Sequence, residues 1–156
     1  MSENVERAEK RNEIIKLILW CIVIILAACI VRKIFKPTLV VGTSMEPNYT
    51  ENQFVIGHMC LDIERFDVVT IQTGDKLLIK RVIGLPGETI EFFNGVLYVN
   101  GVPIEDPYAT GITNDFSVVV SEGHYFCMGD NREHSYDSRY YGEFSLEQIS
   151  YKINWS

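Results

Sequence analysis

Residues 14–31, IIKLILWCIVIILAACIV, hold a single charge, Lys16, in eighteen positions. A run this long and apolar constrains the chain before any other feature does. In helical form it spans most of a bilayer's hydrocarbon core, and it has no polar stripe to turn toward water. Lys16 lies close enough to the end of the run for its ammonium to reach the interface. A buried core helix would need an enclosing domain that the strand-rich remainder does not offer. A cleavable secretory signal would have a shorter apolar core followed by small residues at a cut site, whereas Arg32, Lys33 and Lys36 follow here. The run therefore reads as a retained transmembrane helix. Flanking charge does not orient it, because Arg7, Lys10, Arg11 and Lys16 precede or open the span and Arg32, Lys33 and Lys36 follow it.

What is left of the 156 residues has room for one extramembrane domain at most. A net charge of -7 counts against nucleic acid as a partner, since phosphate binding draws on clustered Lys and Arg. Of the four cysteines, Cys21 and Cys29 fall in the apolar run, and Cys60 and Cys127 fit neither a zinc pattern nor a disulfide framework. A Cys60–Cys127 bridge and two free buried thiols both stay open. Beyond Pro37 the texture is short β-type runs separated by turn residues, at 38–41, 53–56, 67–72, 77–83, 89–93, 96–99, 116–120 and 125–128. Asn94-Gly95 marks a two-residue hairpin of type I′, and Asn100-Gly101 repeats that chemistry. Only 146–150 suggests a helical turn. The fold class that follows is mainly antiparallel β with one N-terminal transmembrane helix.

Three stretches could carry chemistry. In Gly42-Thr43-Ser44-Met45-Glu46-Pro47, Ser44 follows an apolar strand-like run and a glycine, and Pro47 restricts the backbone around it. Ser44 is the candidate nucleophile, although a strand ending in a Gly/Pro turn looks much the same. Lys80 shares one face of its strand with Leu78 and Val82 under period-two alternation, among apolar neighbours. Desolvation lowers a lysine pKa, and a drop of about three units from about 10.4 would make Lys80 a general base near neutral pH. Such a lysine can take the proton of a serine without any histidine. The third stretch, 129–142, is dense in Asp, Asn, Ser and Arg, and in it Asp137 and Arg139 can pair.

Together these blocks resemble bacterial type I signal peptidases: Ser44-Met45-Glu46-Pro47, then Lys80-Arg81-Val82-Ile83-Gly84-Leu85-Pro86-Gly87-Glu88, then Gly129-Asp130-Asn131-Arg132 with Ser135, Asp137, Ser138, Arg139 and Gly142. They occur in the family's order, and the similarity spans about residues 38–156 behind a single anchor. The resemblance implies a serine endopeptidase that removes signal peptides from secretory preproteins at Ala-x-Ala sites, with Ser44 as nucleophile and Lys80 as base. It implies that Ser135 hydrogen-bonds the lysine amine and that Asp137, Arg139 and Asp130 brace the core. Met45 and Pro47 are expected against the substrate. Gly42 stands where a serine is sometimes found, which leaves the second oxyanion donor to a backbone group. Asn48-Tyr49 stands where Thr-Leu is common, a departure expected to bear on the substrate groove more than on the chemistry.

The domains implied are a cytoplasmic tail at 1–13, an anchor at 14–35 and an extracytoplasmic catalytic β domain of the signal-peptidase type at 36–156, in a single-pass protein of the cell membrane. Partners would be preproteins and the lipid bilayer, with no nucleic acid, no metal and no cofactor. His58, His124 and His134 do not displace Lys80 as base, because the family position is a lysine here. The rival of another class is a catalytically silent, membrane-anchored module assisting pilus or surface-protein assembly. A self-cleaving repressor with a related Ser-Lys core is disfavoured by the anchor.

Overall fold

The computed structural model describes residues 2–59 and 62–153. The chain divides after Phe35 into a helical unit and a β domain. The first unit is one helix, α1 (Ser2–Ile34), in which the charged lead-in and the apolar run are continuous. The successive residues Leu17, Ile18, Leu19 and Trp20 point to all sides of the helix, and each is more than half exposed. A helix apolar all round, with the side chains of its apolar window exposed, is suited to lipid rather than water. Lys10–Ile34 is long enough to cross a membrane. Lys16 reaches back to Glu13 at 2.8 Å, and Arg32 and Lys33 occupy the last turn, where cations favour the helix dipole.

The β domain holds two sheets. The larger runs in the order β1 (Phe35–Leu39), β2 (Phe54–His58), β11 (Ile149–Ile153), β3 (Val68–Thr73), β4 (Lys76–Gly84), β9 (His124–Met128), β10 (Phe144–Ser145). The smaller runs β7 (Val102–Ile104), β6 (Val96–Val99), β5 (Thr89–Phe93), β8 (Phe116–Val119). Asn94 and Gly95 take φ +50° and +78°, the paired positive values that type I′ requires, and they join β5 to β6 as expected. Asn100 and Gly101 do the same between β6 and β7. β7 is only three residues long and contains Pro103, which explains both its absence from the sequence reading and its place at an edge.

A larger difference concerns the expected helical turn at 146–150. A 3-10 turn is present at Leu146–Gln148, capped reciprocally by Ser145 and Gln148, but the chain then extends as β11 and inserts between β2 and β3. Ile149-Ser150-Tyr151-Lys152-Ile153 alternates apolar and polar residues as a strand does, but the helical turn expected at 146–150 takes the first two of them. Pairing with β2 and β3, far away in sequence, fixes the strand.

β4 fixes where the chemistry can sit. It pairs with β3 from Lys76 to Arg81, but on its other side β9 meets it only at Arg81, Val82 and Gly84. Residues 76–80 therefore keep an open edge on that side. From Ile79 to Gly84 the strand is buried on both faces. Val82 joins Val69, Ile71, Cys127 and Phe144 in one cluster, while Met45, Val40, Val55, Val68 and Ile79 form another. Phe144 is 1% exposed at the centre of its cluster. We expect Phe144→Ala to cost about 3–5 kcal/mol of stability, measured by chemical denaturation of the full chain in detergent.

Candidate active site

The turn carrying Ser44 is shaped by its backbone. Val40 N–H donates to Gln53 O and Asn52 N–H donates to Val40 O, both at 2.9 Å, which closes the 40–53 loop. Gly42 takes φ +86°, a conformation that strains any residue with a Cβ, yet no heavy atom lies within 4 Å of where a Cβ would stand. Glycine is thus required there by conformation rather than by crowding. The chain then coils, with Glu46 N–H bonded to Thr43 O at 3.2 Å and Tyr49 N–H to Met45 O at 2.9 Å. Met45, 1% exposed, plugs the coil into the core beside Val40, Val55 and Ile79. Its neighbour Ser44 is left at the surface of a groove.

Lys80 comes to that groove from β4. It stands opposite Val69 in the sheet register, between Leu78 and Val82 of the same strand face, and is 3% exposed. Its Nζ donates to Ser44 Oγ at 2.6 Å. Burial lowers the Lys80 pKa to about 8, against the opposing pull of the Asp137 and Asp130 charges. The groove has a volume of about 480 Å³ and runs between the 38–41 segment and the open edge of β4, with Tyr136 and Tyr141 on its rim. Met45 lines it and Pro47 does not.

Behind the pair lies a dense polar network. Asp137, fully buried, accepts from Ser135 Oγ at 2.6 Å, from Gly129 N–H at 2.9 Å and from Arg139 Nε at 2.9 Å. Burial alone would raise its pKa, but these hydrogen bonds outweigh it and hold the carboxyl below the usual carboxylate range. The Ser135 hydroxyl is thus given to Asp137, while the Lys80 hydrogen bond is to Ser44, so the direct Ser135–lysine bond expected from the sequence is not made. Asp130, also fully buried, takes a two-pronged pair from Arg81, Nε to Oδ1 at 2.8 Å and Nη2 to Oδ2 at 2.7 Å. The strand that carries Lys80 is thereby tied to the 129–132 loop.

That loop in turn holds the serine. Asn131 N–H donates to Ser44 O at 3.0 Å, and Asn131 Nδ2 to Thr43 O at 3.2 Å. Gly129 permits the approach: a Cβ there would lie 2.5 Å from Ser44 O and 2.2 Å from Ser135 Oγ. Sequence reasoning assigned nothing to Gly129 or Asn131 individually, although both sit inside the third block. Asn48 requires a correction. It is not among the groove-lining residues; its Nδ2 donates to Tyr108 O at 2.8 Å and to Asp130 Oδ2 at 2.9 Å, which attaches it to the polar network.

Cys127 is a free, buried thiol whose pKa is raised by that burial, and Cys60 lies outside the described residues. Among the described residues, no three His, Cys, Asp or Glu side chains gather as a metal site. None of the three histidines lines the groove.

An antiparallel β domain with a groove opening on a serine hydroxyl beside a buried lysine amine, carried behind an apolar helix, belongs to the class of membrane-anchored serine endopeptidases. Residues 11–155 match the family model described as signal peptidase, peptidase S26. The chain is 38% identical to signal peptidase I V of Bacillus subtilis over 81% of its length and 88% of that protein's. It is 36% identical to signal peptidase I S of the same organism, over 96% and 90%. The crystal structure of a signal peptidase I from Enterococcus faecalis superposes with a TM-score of 0.56 at 32% identity, covering 60% of this chain and 97% of that one. This chain belongs to the signal peptidase family, as a bacterial type I signal peptidase.

Two outcomes follow from the geometry. If the neutral Lys80 amine is the working form, kcat/KM rises with pH on a limb centred near 8 and falls about a hundredfold from its plateau by pH 6, where only about 1% of the amine is unprotonated. A pH–rate profile on a soluble peptide substrate checks it. Gly129→Ala pushes against the Ser44 carbonyl, and a displacement approaching 1 Å lowers the cleavage rate about a hundredfold; the check is the rate per folded molecule.

Proposed function

We propose that the chain removes signal peptides from secretory preproteins by a Ser44–Lys80 mechanism at the outer face of the membrane that α1 crosses. The observation that carries this reading is the 2.6 Å contact between Lys80 Nζ and Ser44 Oγ at the groove. The neutral amine accepts the Ser44 proton as Oγ attacks the scissile carbonyl, and a tetrahedral intermediate forms. The Ser44 N–H and a second backbone group stabilise its oxyanion, since Gly42 offers no side chain. The protonated Lys80 then returns its proton to the departing amine, releasing the mature protein. Water activated by the regenerated amine hydrolyses the acyl-serine and frees the signal peptide. Asp137 fixes Ser135 and Arg139 beneath the lysine, and Asp130 holds Arg81, so the reacting groups need little rearrangement.

Substrate binding follows from the unpaired edge of β4. An extended signal peptide adds along 76–80 as a further strand, with its last residues in the groove. Small side chains, typically Ala, one and three residues before the cut fit the apolar walls made by Met45, Leu78 and Val40. In this reading 1–13 is cytoplasmic, 14–35 is the lipid-embedded anchor and 36–156 is the extracytoplasmic catalytic domain.

The test is cleavage of an Ala-x-Ala preprotein by the full chain in detergent or lipid, beside Ser44→Ala and Lys80→Met. We expect correct trimming by the wild type and a loss of at least about a thousandfold in each variant. Equal trimming by all three would remove the dyad, and no trimming by a folded wild type across several substrates would favour the silent assembly module.

A further inference from the structure

The segment between β7 and β8, residues 105–115, carries no motif and contributes no strand of either sheet, yet it is bonded at several points to the back of the active site. Thr110 N–H donates to Asp130 O at 2.8 Å, and Arg132 N–H donates to Thr110 O at 2.9 Å. The carbonyl of Tyr108 accepts Asn48 Nδ2 at 2.8 Å. Asp106 receives the Arg132 guanidinium, itself bonded to Gly129 O at 3.0 Å. The Arg81 guanidinium lies over the Tyr108 ring, 3.7 Å from Cζ to ring centroid, and the ring also contacts Phe66.

We infer that Tyr108 is a positioning residue for the reacting pair, acting through the Arg81–Asp130 ion pair that its ring covers. Arg81 is the residue next to Lys80 on β4 and is 4% exposed. Asp130 precedes Asn131, whose backbone N–H holds the Ser44 carbonyl. The ion pair is therefore the joint between the strand carrying the lysine and the loop fixing the serine, and Tyr108 keeps water from it. A buried, two-pronged pair is strong because its surroundings are of low polarity, and the aromatic face adds attraction for the guanidinium. Uncovered, the pair is hydrated and screened, and the loop gains freedom relative to β4. The phenol oxygen plays no part in this, so phenylalanine serves equally and a small side chain does not.

The inference rests on Ser44 being the reacting serine, and the experiment separates the two. The full-length protein in detergent is treated with an electrophilic acylating probe, and intact mass gives both the rate constant of labelling and the final labelled fraction. Wild type, Tyr108→Phe, Tyr108→Ala and Ser44→Ala are compared. We expect Tyr108→Ala to label about tenfold more slowly to the same final fraction, and Tyr108→Phe to stay within about twofold of wild type. The same Tyr108→Ala variant should lose kcat by a similar factor with KM little changed. A lower final fraction at an unchanged rate would mean a purely structural role and overturns the inference, as does an unchanged Tyr108→Ala or an equally slow Tyr108→Phe. Labelling of Ser44→Ala at the wild-type rate instead overturns the dyad reading itself, and the inference with it.

Discussion

The groove and the polar network of the β domain are organised around one amine removed from water. An ammonium group buried at Lys80 loses hydration that no hydrogen bond in its apolar surroundings fully returns, so the proton is held less tightly. The sheet creates this condition by placing Lys80 opposite Val69 and between Leu78 and Val82, near the middle of a strand that β3 pairs from Lys76 to Arg81. Had β9 continued along β4 past Arg81, the strand edge beside the lysine would be closed by a paired neighbour. Its early departure leaves the amine dry yet reachable.

The polar network serves a different purpose from the apolar shell. Asp137 and Asp130 are both fully buried, and each is matched by an arginine. Carboxylates in such a place would be costly alone. Paired, they restrict the backbone around them, which includes Gly129 and Asn131, and these meet the Ser44 carbonyl. The opposing effect of the two carboxylates on Lys80 is the accompanying cost, since each favours the charged amine. Burial outweighs them, so the network can supply rigidity while the lysine stays depressed.

Much of this arrangement was legible in the sequence, for identifiable reasons. The apolar run needed only length and composition, and the hairpin at Asn94-Gly95 needed only the rarity of positive φ outside such residues. Ser44 and Lys80 were legible through resemblance to a family rather than through physics, because nothing local says that two residues 36 positions apart meet. β11 was missed because the helical turn expected over 146–150 splits a five-residue run whose alternation is that of a strand. Tyr108 was missed for a different reason: a ring in an irregular segment has no period, and its significance is set by Arg81 on another element. Asn48 was noticed as a departure but placed on the wrong side of the turn, since spacing does not say which way a side chain leaves a coil.

The insertion of β11 between β2 and β3 also governs the order in which the domain can be built. Ile71 pairs with Ile149, and Gly57 with Ile153, so neighbouring early strands are joined only through a late one. Such pairing carries a large loop-closure cost before any contact is gained, and it slows folding. As the chain emerges from synthesis, β2 and β3 have no partner to unite them until residues 149–153 arrive. The groove beside Ser44 takes its 38–41 wall from one side of that junction and its β4 wall from the other. A nascent chain of this design has no assembled groove until nearly all of the domain has been made.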